Sequence, residues 1–394
     1  MVAAGARDSY QLPIALHEAD LLRAFLTDFY APLDCRAAGF VCSLLPRTLA
    51  DKFKRRYSSE LPSRLVTSRP GVFLKTRNHA QWMEYNQMLG ERAGEVAANY
   101  GCGIVSYAHV ATGAFEKAAG LPKVLVQMQP HPASVRNTLR EDELLPDLQE
   151  GETTNELRWP QSVFDTLCHE PQLADRSIVA SNYTRRTLMA GGIDDESITV
   201  VPYGVDLDFF TPGSPNMGAF RLLFVGQPVR QKGLHYLLEA WNRLKLPNAE
   251  LHVVARSGRS NAVLSRYSDK FIFHEDLDWT SLREEYRRAD LVCLPSLSEG
   301  FGLVTLESLA CGTPVLASDA AGSSELLEQG QDGFVIPAAD LPSLVVALES
   351  AYSDRPRLRE MRAAARRKAE RFPWSRFREG IRVAVGRAVL TATQ

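Results

Sequence analysis

The chain has 394 residues, 45% of them hydrophobic and 23% charged, with a formal net charge of -2. Single hydrophobic cores stop growing below that length, so two domains of about 200 residues are expected, and near-neutrality argues against a global polycation for nucleic acid. No basic stretch followed by an apolar one opens the chain, and no run of about 18 apolar residues occurs, so the expectation is a cytoplasmic protein with neither a signal peptide nor a membrane-spanning helix.

In chain order, the opening MVAA is short for a first strand, which leaves either a stunted strand or a start further upstream. Between Arg36 and Arg77 ten basic residues face only Asp51 and Glu60, with Phe40, Val41, Leu44, Leu45, Leu49 and Phe53 interleaved. Helical spacing follows over His79–Ala98, then apolar strands over Gly103–His109, Lys123–Gln129, Ser177–Ser181 and Ser197–Tyr203, with a helix over Tyr183–Ala190. The segment Pro202–Asn216 is dense in Pro, Gly, Asp and Asn and reads as a linker. Beyond it the strands are sharper: Arg221–Gly226, Glu250–Ala255, Lys270–His274, Leu291–Ser296, Pro314–Ser318 and Phe334–Pro337. Strands alternating with helices imply parallel sheets in an α/β fold. Two doubly wound domains joined at the linker would face each other across a cleft at the carboxyl ends of their strands, where such sheets bind ligands. The six cysteines, Cys35, Cys42, Cys102, Cys168, Cys293 and Cys311, form no CxxC pair and read as thiols in a reducing compartment.

Two strand-to-helix loops carry the chemistry. In Glu299–Glu307 (EGFGLVTLE) a strand ends, glycines let the backbone approach a ligand, and a helix begins near Leu303. That arrangement is an anion site, and its two carboxylates suit the paired hydroxyls of a sugar or ribose rather than phosphate. In Gly226–Gly233 (GQPVRQKG), Arg230 and Lys232 place two cations beside it. The loop is not GxxxxGK[ST], and no GxGxxG follows a strand, which disfavours a P-loop enzyme and a nicotinamide dehydrogenase. A solvated acidic loop and a charged turn are the plain alternatives for each loop taken singly.

Together, GQPVRQKGLHYLLEAW, EGFGLVTLESLACGTPVLAS and GSSELLEQGQDGFVIP resemble glycosyltransferase family 4, strongly from Arg221 to about Tyr352, and SNYTRRTLMAGG and VVPYGVD extend the resemblance into the first domain. It implies the GT-B fold: two Rossmann-like domains, 1–205 on the acceptor side and 206–371 on the donor side. A C-terminal helix in 372–394 would return to the first domain. It also implies transfer with retention from a nucleoside-diphosphate sugar, without cofactor or metal. Lys232 and Arg230 would bind the diphosphate, Glu299 the donor sugar and Glu307 the ribose. Gly226 would open the cation loop, and Phe301, Gly302 and Leu303 would offer backbone N–H groups to the phosphates.

Two positions depart from the family pattern. Gln227 replaces an expected arginine, so Arg230 has to supply that charge, and Arg256 or Arg259 occupies an expected glycine-rich turn. His131 and His109 each follow a predicted strand and are candidates to line the cleft, His131 standing two residues beyond the family's usual histidine position at Gln129. The two DxD matches, Asp206–Asp208 and Asp276–Asp278, fall in a linker and a helix-capping turn. A sugar-nucleotide epimerase, a glycosyl phosphorylase and a non-catalytic nucleotide-sugar binder are the competing functions. The expected partners are a nucleotide sugar and a glycan or lipid-linked acceptor, with peripheral membrane contact through the basic segment 36–77 and no nucleic acid.

Overall fold

The computed structural model describes residues 1–68, 79–144, 155–255 and 262–391. Every strand pairing in it is parallel. The first half holds β1 (Phe25–Thr27), β2 (Val66–Ser68), β3 (Ile104–Tyr107), β4 (Lys123–Val126), β5 (Arg176–Val179) and β6 (Ile198–Val200), with β3 to β6 side by side in sequence order. Val2 bridges both Leu26 of β1 and Ser106 of β3, so the short N-terminal stretch ties the β1–β2 pair to the larger sheet. The opening segment is thus a single bridge rather than a full strand. β1 and β2, three residues each, were too short to show a period in the sequence.

The second half is a six-stranded sheet of β7 (Phe220–Val225), β8 (Ala249–Ala255), β9 (Ile272–Glu275), β10 (Leu291–Leu294), β11 (Val315–Ser318) and β12 (Gly333–Ile336), in the order β12-β11-β10-β7-β8-β9. The strand order reverses between β10 and β7, a topological switch point of the kind where doubly wound sheets hold ligands. β10 and β11 are buried along their whole length, as strands covered on both faces must be.

The last helix, Trp374–Thr391, leaves the second half and packs on helix Gln11–Glu18 and on β4 and β5. Aromatic contacts knit the halves together there: Tyr203 meets Phe301, Trp374 and Phe377 with ring centroids 5.4–6.0 Å apart. Offset and edge-on rings of this kind stabilise beyond their buried area. Among the described residues, no helix is long and apolar enough to cross a membrane.

Candidate active site

The loop after β10 and the cation loop after β7 meet at the cleft. Gly226 directly follows β7 with its N–H on the Val254 carbonyl, and a short 3-10 turn, Arg230–Lys232, comes after it. The Lys232 ammonium reaches across to the Glu299 carboxylate and forms an ion pair, both side chains being partly exposed to the cleft. Burial draws Lys232 down to about 8, whereas the adjacent carboxylate favours its charged form.

Glu299 is held by its backbone. Its N–H donates to Ala320 O and its carbonyl accepts from Gly322 N, both at 2.9 Å, while Phe301 O accepts from Ser323 N at 2.7 Å. The loop is therefore laced to the segment after β11. Gly302 takes φ +89°, a left-handed conformation that favours glycine, and from it helix Leu303–Ala310 starts. Thr305 N already donates to Gly302 O at 3.0 Å, so it is the N–H groups ahead of it that an anion at the cleft could meet. Phe301 itself is buried, edge-on to Tyr203, and anchors the loop from below.

Glu307 lies one turn into the helix, where the Tyr286 hydroxyl donates to its Oε2 at 2.7 Å. Burial raises its carboxyl to about 7. With Leu303 it borders a cavity of about 330 Å³, also lined by Asp8, Gln11, Phe210, Trp279 and Trp374. Polar side chains from both halves of the chain and aromatic walls from the second thus surround one space.

Three expectations are revised. Arg230 is 2% exposed and does not turn into the cleft. Its guanidinium pairs with the Asp142 carboxylate and donates to the Asp142 and Leu144 carbonyls, because a buried guanidinium needs a counter-charge that Asp142 supplies. His131 caps helix Pro132–Glu141: its Nδ1 accepts from Ala133 N at 3.3 Å and its Nε2 meets Cys168 O at 3.2 Å, so both ring nitrogens are engaged within the first domain. His109, at φ +79°, is packed edge-on against Trp82 and Trp159, and burial depresses it to about 3. Neutral and among aromatics, it meets no donor loop in the described contacts. Arg256 and Arg259 lie outside the described residues. Asp278 caps helix Trp279–Arg288 through Ser281 N at 2.7 Å, and Asp206 accepts from Asp208 N and Phe209 N.

Sequence reasoning missed the contacts that close the cleft. Gly300 O accepts from Ser181 Oγ at 2.6 Å and Thr184 Oγ1 at 3.1 Å, and the Tyr183 hydroxyl donates to Ser298 Oγ at 3.0 Å. The segment SNYT carried the signal, since polar residues opening a helix after a strand point their hydroxyls toward the cleft end.

Two parallel-sheet domains meeting over a pair of strand-end loops are the GT-B arrangement. Residues 208–368, in the second half of the chain, match the family described as glycosyl transferases group 1. The chain is 32% identical over 265 residues to the D-inositol 3-phosphate glycosyltransferase of Arthrobacter sp. (strain FB24), covering 62% of this chain and 60% of that protein. The corresponding enzyme of Nocardia farcinica is 32% identical over 232 residues, covering 53% and 51%. The chain therefore spans roughly half to three-fifths of these relatives' length. Among solved structures, sucrose-phosphate synthase from Thermosynechococcus elongatus superposes with a TM-score of 0.70 at 19% identity, over 100% of this chain and 96% of that one. Anabaena Alr3699/HepE, in complex with UDP and glucose, gives 0.62 at 16% identity over 98% of each chain. The expected GT-B fold is borne out, and the family match falls on the half that carries both loops.

Proposed function

We propose that the chain is a retaining glycosyltransferase that moves a sugar from a nucleoside-diphosphate donor to a hydroxyl acceptor. The observation that carries this reading is the Lys232–Glu299 pair at the mouth of helix Leu303–Ala310. An incoming diphosphate takes the place of the carboxylate beside Lys232, and the freed Glu299 accepts hydrogen bonds from the sugar. Glu307 holds the ribose hydroxyls. Lys232 and the helix N-terminus then stabilise charge on the departing phosphate, which accepts the acceptor's proton as that hydroxyl attacks from the same face. With the Lys232 ammonium and the helix end in place the diphosphate requires no divalent metal. A panel of nucleotide sugars, with the product anomer read by proton NMR in the presence of EDTA, tests the reading. Inversion, or a strict Mn²⁺ or Mg²⁺ requirement abolished by Asp276→Ala or Asp278→Ala, overturns it.

For the acceptor, the relatives' names make a phosphorylated cyclitol the first small molecule to try. The basic segment supports a lipid-linked acceptor at the cytoplasmic face of a membrane. Phe40 in helix Arg36–Ser43 and Leu44 just after it are 67% and 69% exposed, and Lys52 and Lys54 in helix Arg47–Lys54 and the following Arg55 are exposed as well. Apolar tips among cations suit an anionic bilayer, with about 1 kcal/mol per basic residue near it. Salt-sensitive co-sedimentation with anionic but not neutral vesicles is expected, weakened when Lys52, Lys54 and Arg55 become Ser. Equal binding by that variant returns the segment to an ordinary solvated face.

A further inference from the structure

On the face of the donor-side sheet covered by helix Trp279–Arg288, three metal-type side chains converge from separate elements. His252 comes from β8, His274 from the neighbouring edge strand β9, and Glu285 from the helix. His252 Nδ1 lies 2.8 Å from His274 Nε2, and Glu285 Oε2 lies 3.6 and 3.9 Å from those same two nitrogens. A tetrahedral ion bonded at about 2.1 Å needs ligand atoms roughly 3.4 Å apart, which is close to the mean of this triangle. Glu285 is 6% exposed and its Oε2 has no hydrogen-bond partner. A buried carboxylate oxygen without a hydrogen bond is costly, and the Arg221 guanidinium 3.7 Å away offsets that cost only in part. His252 Nε2, on the far side of its ring, is 3.0 Å from Glu250 Oε2, the carboxylate–histidine arrangement that orients a metal-bound imidazole.

We propose that His252, His274 and Glu285 bind one late first-row divalent cation, of which zinc is the type, with water in the fourth position on the partly exposed His274 side. Imidazole and carboxylate donors suit that class over magnesium or calcium. Arg221 is the group that the ion must displace. Its Nε is 2.9 Å from His252 Nε2, its Nη2 3.3 Å from His252 Nδ1 and its Nη1 3.7 Å from Glu285 Oε2. Glu250, 3.8 Å from the Arg221 Nε, receives the guanidinium when the ion enters. Arg288, 3.9 Å from Glu285 Oε1 and mostly exposed, stays in solvent. The ion would pin edge strand β9 and the covering helix to β8. That is a structural role, separate from the diphosphate loops and independent of the transferase reading.

The test uses the full chain stripped with EDTA and returned to metal-free buffer. Zinc chloride is expected to bind at one equivalent, survive gel filtration and raise the melting temperature by several degrees. Cobalt is expected to give visible d–d bands without thiolate charge-transfer absorption. His274→Ala, whose ring is partly exposed, and Glu285→Gln should each weaken zinc at least tenfold and abolish the thermal shift while keeping the metal-free melting curve. If Glu285→Gln does not fold, His274→Ala alone decides. No retained zinc, an undiminished shift in His274→Ala, or a thiolate spectrum assigning the ion to cysteine would each overturn the proposal.

Discussion

Lys232 and Glu299 pair with each other at the cleft, and on the proposed roles their substitutions should separate two kinds of binding. Lys232→Ala removes the cation proposed for the phosphates and should weaken free nucleoside diphosphate and donor alike. Glu299→Ala should spare the nucleotide and impair the sugar-bearing donor and turnover. One charge-assisted hydrogen bond is worth about 1.5–3 kcal/mol, roughly ten- to a hundredfold, readable by titration calorimetry and initial rates. Wild-type nucleotide binding and turnover in both variants would refute the assignment. Glu307 adds a pH signature. Its carboxyl is raised from 4.5 to about 7 by burial, so the folded state holds its proton more tightly than the unfolded chain. Its contribution to stability is complete below about 4.5 and is lost as pH rises through about 7. Glu307→Gln should flatten the fall in melting temperature between pH 5 and 8 and also weaken nucleotide binding. In the wild type, nucleotide affinity should climb as Glu307 ionises and fall again above about 8, where Lys232 loses its charge.

The loop Ser298–Gly302 acts as an element in its own right, fastened on one side to the segment after β11 and on the other to the first domain. A Cβ at Gly300 would lie 2.0 Å from Met128 O and 2.9 Å from Gln129 Cα, both backbone atoms of the opposite domain. Neither can yield as a flexible side chain would. Gly300→Ala should therefore push the domains apart and cut kcat at least tenfold, while nucleoside diphosphate, held by Lys232 and Glu307, still binds. Turnover at the wild-type rate would mean that the contact at Gly300 is absent from the reacting state. The glycine pattern EGFG was legible as a ligand-approach signal. That one of its glycines serves the domain interface was not, because the sequence does not reveal which backbone packs against it.

At the scale of the whole molecule, Asp142 makes a buried polar link between the two halves. Its carboxylate pairs with Arg230, meets His235 Nε2 at 2.9 Å and accepts from the Tyr236 hydroxyl at 2.9 Å. Burial opposes its ionisation, but His235, Arg230 and Tyr236 outweigh it and hold the carboxyl below its ordinary value. Val135 and Leu139, from the helix leading to Asp142, lie in the same apolar cluster as Leu234, Leu237 and Leu238 of the donor side. Asp142→Ala leaves a buried guanidinium without that partner, at a cost of about 3–5 kcal/mol. A lower melting temperature and a larger radius of gyration by X-ray scattering should follow, with weakened donor turnover as the cleft opens. An unchanged radius and an unchanged rate would show that the apolar contact alone sets the domain arrangement.

The sequence by itself determined the alternation of strands and helices in the second half, the two strand-end loops and the carboxylate–cation chemistry at the cleft. These depend on local periodicity and on short fixed spacings, such as the eight residues from Glu299 to Glu307, which one strand–loop–helix unit converts directly into position. Only the tertiary structure decided what long-range partners do. Arg230 reads as a phosphate ligand until Asp142, 88 residues away, takes its charge. His131 reads as a cleft residue until Cys168, 37 residues on, occupies its ring. The fate of a buried charge or ring nitrogen is set by whichever group the fold brings within about 3 Å, and separation along the chain carries no record of that.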